Sequence, residues 1–405
     1  MKFFLIFITL FFINAEATLA GGRPNSFSEG NNAFAGVVNP ANNVWIEDRL
    51  DVGVFWINQK SSLDNRDNNP RYPPGKVNLT YKCRNLVTTD TAVHKKFKWD
   101  DQEMSITLAS YTMPPFLKLR TKMPIPGSGT TPMHVQNRVD VLSAVFSFKL
   151  RPNFSLGCSL DYLSCSHLRN GFQNSDNPIR SVSPGHVTNN GMDHSHGVGF
   201  TLGCRWNITK RLLFGAAWTK KSYCGQYRKY RGFEPHNANN YVPQMVGAGF
   251  TYRFSKQIAG RIEVLWTNQG NVPGSNNSVL PDGSLNLNKR GSNHSPGPGL
   301  TDATFINLGL GYKVNEVLAF GGGLSHRLKF PLSSNIISHT YRLQTIYNLL
   351  SFGAHINYRK NEIFLVFSWG MKNKVTGYFP LILGGGKMVG EKETLSLSCS
   401  WGYRY

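Results

Sequence analysis

The chain has 405 residues, 40% of them hydrophobic and 12% aromatic, and a formal net charge of +21. Mean hydropathy is −0.29, and beyond the N-terminal leader no run of eighteen apolar residues occurs, so helical membrane spans are not expected. The 44 Lys and Arg against 23 Asp and Glu would suggest nucleic acid in a cytoplasmic protein, but no nucleic-acid motif is present and the leader directs the chain out of that compartment.

Met1-Lys2 is a short positive region, and Phe3–Ile13 is an apolar run too short to span a bilayer. Small residues follow in Ala15-Glu16-Ala17 and Thr18-Leu19-Ala20. This is the pattern of a secretory signal peptide over residues 1–20, with the mature chain starting near Thr18 or Gly21. Residues 21–48 lack strand alternation and are read as a separate N-terminal segment. From Arg49 to the end one format repeats, which favours a single domain over residues 49–405. Strands are expected at 49–57, 77–83, 104–113, 139–150, 154–163, 197–206, 211–220, 243–254, 258–267, 304–312, 317–326, 347–358, 362–371 and 393–405. Turns of two to four residues rich in Asn, Lys, Ser and Arg alternate with long polar segments at 164–196, 220–242, 268–303, 326–348 and 371–392. Residues 84–103 are read as a connection, and Phe116–Arg120 lies outside the strand set.

The strands alternate apolar with small polar side chains. Leu142, Ala144, Phe146, Phe148 and Leu150 share one face, while Ser143, Ser147 and Lys149 lie on the other. Such a sheet has an apolar outside and a small, polar inside, the reverse of a soluble sandwich. Fourteen strands, an even number, with asymmetric connections describe a transmembrane antiparallel β-barrel, an all-β fold with an N-terminal hatch or plug segment. The chain ends on a strand whose Leu395, Leu397, Cys399, Trp401, Tyr403 and Tyr405 share one face. This resembles the C-terminal signal by which bacterial outer-membrane barrels engage the barrel-assembly machinery. Outer-membrane lipid and glycolipid are the expected surroundings, and basic loop pairs such as Lys220-Lys221 and Lys289-Arg290 could meet anionic glycolipid.

Six cysteines occur, at 83, 158, 165, 204, 224 and 399, without zinc-site spacing. Cys158, Cys204 and Cys399 fall on the apolar face; Cys83, Cys165 and Cys224 fall at strand ends or in loops, where oxidation can reach them. Met192-Asp193-His194-Ser195-His196 could bind a divalent cation but reads better as a solvated loop cluster. No nucleophile elbow, zinc-protease motif or P-loop occurs. No catalytic residue, metal or cofactor is therefore expected.

Gly30-Asn31-Asn32-Ala33-Phe34-Ala35-Gly36, followed by Asn39-Pro40-Ala41, resembles the N-terminal motifs of the FadL family of outer-membrane transporters for long-chain fatty acids and other hydrophobic compounds. Arg211–Trp218, Pro243–Phe250 and Glu263–Thr267 are similar to that family's recurring strands. The resemblance implies a barrel of about fourteen strands, plugged by residues 21–48, in the outer membrane of a Gram-negative-type bacterium. It implies capture of a hydrophobic small molecule, a fatty acid or aromatic hydrocarbon, near loops 114–138 and 164–196. Release would follow without an energy source, through a lateral opening or past the hatch, from a monomer. Phe34, Asn39, Pro40 and Ala41 are the hatch residues it points to. Only two residues separate Gly36 from Asn39, fewer than in the family, so the expected hatch is short. The inward charges Lys149, Asp161, Arg205, Arg253, Arg261, Glu263 and Arg404 are read as lumen salt bridges. A general aqueous porin and a surface adhesin are the alternatives.

Overall fold

The computed structural model describes residues 26–69, 78–124, 128–278, 286–297, 299–328, 348–378 and 385–405. The expected signal peptide, residues 1–20, and the first residues of the expected hatch lie outside these. Along the chain come a short helix α1 (Ala35–Val38), a 3-10 turn (Pro40–Trp45), then β1 (Arg49–Asp64), β2 (Asn78–Trp99), β3 (Gln102–Arg120), β4 (His134–Arg151), β5 (Phe154–Asn170), β6 (Asp193–Asn207) and β7 (Leu212–Thr219). A two-stranded insertion follows, β8 (Ser222–Gln226) and β9 (Asn239–Val242), with α2 (Pro235–Ala238) between them. The chain continues with β10 (Met245–Arg253), β11 (Ile258–Thr267), β12 (Ala303–Lys313), β13 (Leu318–Arg327), β14 (Asn348–Tyr358), β15 (Asn361–Tyr378) and β16 (Lys387–Arg404).

All strands except β8 and β9 pair antiparallel in one closed barrel of fourteen. The ring closes where β1 meets β16, with Arg49 opposite Arg404 and Leu63 opposite Gly390. Closure removes the free edges of an open sheet, so the backbone donors of the wall pair from strand to strand except at the bulges and the ladder break between β2 and β3 described below. The pleat then sorts side chains as the sequence pattern requires. Leu160 is 57% exposed and Val198 63%, whereas the inward Ser143 and Ser159 are 1% and 4% exposed. Inward hydroxyls pair across strands: Ser105 Oγ with Ser147 Oγ at 2.9 Å, Ser351 Oγ with Ser368 Oγ at 2.7 Å. Trp99, Trp206, Phe254, Tyr358, Trp401 and Tyr405 stand exposed at the end of the barrel that carries the tight turns, forming one aromatic girdle.

Several boundaries differ from the sequence expectation. Residues 84–103 are not a connection: β2 runs 22 residues to Trp99, and the turn into β3 is Asp100-Asp101 alone. Both aspartates have positive φ, 45° and 63°, the conformation a two-residue hairpin requires. The outward face of β2 is Val87, Thr89, Thr91, Val93, Lys95 and Phe97; its threonines and lysine concealed the alternation. Phe116–Arg120 belongs to β3, which extends beyond a bulge at Met113/Leu117. Segment 220–242, expected to be an open loop, contains the β8–β9 hairpin; Cys224 sits in it and Cys165 sits within β5, not in loops. In the same way 164–196 and 371–392 are partly strand, because β5, β6, β15 and β16 extend well past the ~10 residues that cross a bilayer.

Candidate functional site

Residues 26–48 lie inside the barrel: the 3-10 turn packs on β3–β6 and α1 on β4 and β5, while Phe27 and Ser28 reach β11 and β10. The wall is shaped to receive them. A Cβ on Gly203 would meet Asn39 Oδ1 at 2.0 Å, and one on Gly157 would meet the carbonyl carbon of Pro40 at 2.4 Å. Only glycine at these two inward positions lets the backbone of the segment approach so closely.

Asn39 is completely buried. Its Nδ2 donates to the carbonyls of Phe27 (2.6 Å) and of Cys204 in β6 (2.9 Å), and its Oδ1 accepts from the Ala41 amide at 3.1 Å. It thus caps the 3-10 turn, which Pro40 begins. The Ala41 carbonyl accepts from Ser155 Oγ at 2.8 Å, and the same hydroxyl receives Trp45 Nε1–H at 2.7 Å. Lys149 Nζ and the Arg205 guanidinium stand 4.4 and 4.9 Å from the centre of the Trp45 ring. Asn39, Pro40 and Ala41 therefore act as one contact on β5 and β6. Phe34 is elsewhere: fully buried, it joins Tyr111, Val141 and Leu163 in a cluster that continues up the wall to Cys224, Tyr227 and Tyr230 of the insertion.

Further anchors hold the segment, of which the sequence marks Arg253 and Glu263 as inward charges but not their partners. The Phe27 amide donates to Glu263 Oε1 at 2.8 Å, and Ser28 Oγ meets Thr251 Oγ1 at 2.8 Å. The Ala33 amide donates to Asp51 Oδ2 at 2.7 Å. Asp51 and Glu362 of β15 both bind Arg49, at 2.8 and 2.7 Å, and Arg49 Nη1 donates to the Asn31 carbonyl at 2.8 Å. Glu29 pairs with Arg253. Their signal was charge on the inward face of strands that otherwise carry Gly, Ser and Thr there. The expected lumen salt bridges form for Lys149 with Glu103, Arg253 with Glu29, and Arg404 with Glu47 and Glu362. Asp161 is held instead by Ser143 and Ser159, and Glu263 by the Phe27 amide.

Two cavities lie in sequence above this segment, the outer one of mixed lining, with Arg138, Glu234, Asn239 and Asn240 beside its apolar residues, and the inner one mainly apolar. The outer one, ≈ 240 Å³, is lined by Met113, Val139, His167, Tyr227, Tyr241 and Val272 among others. Its walls are the ends of β3–β5, the insertion and residues 269–275, so the expected capture loops 114–138 and 164–196 contribute a minority of it. Burial pushes the phenols of Tyr227 and Tyr230 up, keeping both neutral. The inner cavity, ≈ 40 Å³, is lined by Phe27, Val38, Tyr111, Met113, Ala217 and Leu265 with others. Met113 borders both. Below the segment, at the turn end, a polar basin of ≈ 720 Å³ is lined by Glu47, Arg205, Arg253, His355, Glu362 and Arg404 among others.

The wall is discontinuous beside the inner cavity. The β2–β3 ladder ends at Thr91–Ser110 although both strands continue beyond it. On the other side, Met113 pairs with Val139 and Leu117 with Asn137, so β3 carries two surplus residues there. The bulge contains Pro114-Pro115, which supply no N–H to a ladder. Tyr111 and Met113 of the inner cavity sit at this seam.

The Met192–His196 cluster does not converge. Asp193 is buried and accepts from the Lys229 amide at 2.7 Å, while His194 and His196 alternate to the exposed face and His196 Nδ1 meets Tyr162 OH at 2.8 Å.

No protein-family model and no curated protein matches the sequence. Solved structures do. The Pseudomonas putida toluene transporter TodX aligns over 96% of this chain and 97% of its own with a TM-score of 0.62 and 12% identity. A Pseudomonas aeruginosa FadL homologue aligns over 98% and 100%, TM-score 0.64, 14% identity. The Ralstonia pickettii toluene transporter TbuX aligns over 98% and 100%, TM-score 0.62, 11% identity. The chain shares their fold over nearly its whole length.

Proposed function

We propose that this barrel, of the same fold as TodX, TbuX and the FadL homologue, is a passive outer-membrane channel for the uptake of hydrophobic small molecules, with residues 21–48 as its hatch. A ligand enters the outer cavity among the loops, moves past Met113 to the inner cavity, and leaves sideways between β2 and β3 into the bilayer. Each stage is physically favoured. An apolar molecule in water gains about 25 cal/mol per Å² on entering an apolar pocket, and at the seam it exchanges that pocket for lipid at little further cost. A water-filled pore would offer such a molecule no gain, and the anchors on Asn39, Glu263 and Asp51 hold the hatch across the lumen rather than leaving it open.

The observation that carries the reading is the coincidence of the inner cavity with the break in the wall, both bordered by Tyr111 and Met113. Deletion of Pro114 and Pro115 removes the two surplus residues, so that β3 can run straight and extend its ladder with β2 past Thr91–Ser110 as well as pair continuously with β4. Uptake of a fluorescent long-chain fatty acid and of toluene by cells producing this variant should fall to the level of cells without the protein, while the barrel still migrates as a folded species before heating. Unchanged uptake by the folded variant would exclude the lateral route and favour passage beside the hatch.

A further inference from the structure

Cys165 and Cys224 are the two cysteines that the fold brings together inside the barrel. Cys165 points inward from the outer part of β5, opposite Ser195 of β6. Cys224 lies on β8, which packs onto the inner face of β6 so closely that a Cβ on Gly197 would meet Cys224 Cα at 2.7 Å. Both are completely buried free thiols in one cluster, and β8 packs on the strand partner of Cys165: a Cβ on Gly225, next to Cys224, would meet Ser195 Cβ at 3.2 Å. Asn240 Nδ2 donates to Tyr227 OH at 3.0 Å, closing the polar side of this nest. The other described cysteines stand apart: Cys158, Cys204 and Cys399 are on the outward face.

We propose that Cys165 and Cys224 form a disulfide in the exported protein, stapling the β8–β9 hairpin to the inner wall. A thiol pair in an exported protein meets oxidants that a cytoplasmic pair does not. The reaction is dithiol–disulfide exchange with a disulfide-bearing oxidant. One thiolate attacks a sulfur of the oxidant and expels the other as a thiolate. The second cysteine then attacks the mixed disulfide, forming the intramolecular bond and releasing the oxidant as its dithiol; the two cysteine protons and two electrons end on the oxidant. Both sulfurs are sealed once the hairpin is seated, so the bond forms as the hairpin docks and is afterwards shielded from reductant.

The hairpin supplies Tyr227, Asn239, Asn240, Tyr241 and Val242 to the outer cavity. A staple at Cys224 fixes that wall, while Glu234, at the start of α2, is held independently by Arg169. The inference rests on the outer-membrane placement proposed above, and the test separates the two. Membranes are fractionated, the protein is acid-quenched, denatured, alkylated without reductant and digested for mass spectrometry. Recovery in the outer-membrane fraction, with the Cys165 and Cys224 peptides cross-linked and two hydrogens lighter than their sum, is the expected result. Recovery there with both thiols alkylated, or with either joined to Cys83, overturns the disulfide but not the placement. Absence from that fraction overturns the placement on which the inference depends. Cys224→Ser should raise the rate of tryptic cleavage at the hairpin residues Lys220, Lys221, Arg228 and Lys229 about tenfold over unreduced wild type. Reductant should bring wild type to the same rate only after hairpin-opening denaturant is added. Equal rates for Cys224→Ser and unreduced wild type would also refute the staple.

Discussion

Replacing Asn39 by alanine should unseat the hatch. The side chain makes three hydrogen bonds at 2.6, 2.9 and 3.1 Å from a fully buried position. Each contributes ~1 kcal/mol net, and leaving buried partners unsatisfied adds to the loss. The Phe27 carbonyl keeps only a long contact from Asn42 Nδ2 at 3.5 Å, and the Cys204 carbonyl retains its ladder role. The sum is ~3 kcal/mol of hatch seating, which multiplies the unseated population about 150-fold. None of it comes from the barrel ladder, so the barrel itself should stay folded. Single-channel recording in a planar bilayer reads this directly: wild type should be nearly silent, the variant should show frequent openings, and a protein lacking residues 21–48 should conduct steadily. A folded Asn39→Ala protein as silent as wild type would refute the assignment of Asn39 as a hatch anchor. Large steady conductance from wild type would refute the plug altogether and make the protein a porin.

Three further outcomes follow from the geometry. Glu362→Gln leaves buried Arg49 with Asp51 alone and should cost about 3 kcal/mol, lowering the temperature at which the barrel loses its compact gel mobility; an unchanged temperature would show the pair to be dispensable. Ala217→Trp fills the inner cavity and should abolish uptake of toluene while leaving the silent conductance trace as it is; undiminished uptake would place the route elsewhere. At the rim, burial pushes the Asp48 carboxyl up, but hydrogen bonds from Lys95 and the Lys96 amide outweigh it and hold the carboxyl below its ordinary 3.8. A depressed carboxylate stabilises the fold above its unfolded pKa and loses that contribution as pH falls through the folded value. Wild type and Asp48→Asn should therefore differ in thermal stability at neutral pH and converge as the medium is acidified below ordinary carboxylate pH; a difference that persisted in acid would refute the assignment.

Much of the barrel was legible because lipid enforces a period of two that the sequence cannot hide. Strands such as β5 and β10 show it residue by residue. The pattern failed in β2, where Thr89, Thr91 and Lys95 take outward positions, since threonine is tolerated in a strand exposed to the interface and reads as loop. It failed again at β3, where two prolines mark a break in the ladder rather than the end of the strand. Asn39–Ala41 were pointed to by resemblance to a family motif, and they lie in a capped 3-10 turn inside the barrel. The segment's partners were not legible: Glu263 and Glu362 lie more than 200 residues away, and nothing local in a β-strand says which inward charge meets which. The insertion escaped because a pair of strands of five and four residues inside a polar segment leaves almost no periodic signal.

Arg49 also links two events in the life of the chain. It belongs to the first strand, its partner Glu362 to the penultimate one, 313 residues later, and through Asp51 and the Asn31 carbonyl the same group holds the hatch. Until β15 and β16 have joined β1, Arg49 lacks one of its two carboxylates and the hatch lacks a finished seat. Seating of the segment is thereby conditional on completed ring closure, and a seated segment becomes a record that assembly ran to its end. A barrel arrested with an open seam would carry a loose N-terminal segment, recognisable to the proteases of its compartment before it could breach the membrane.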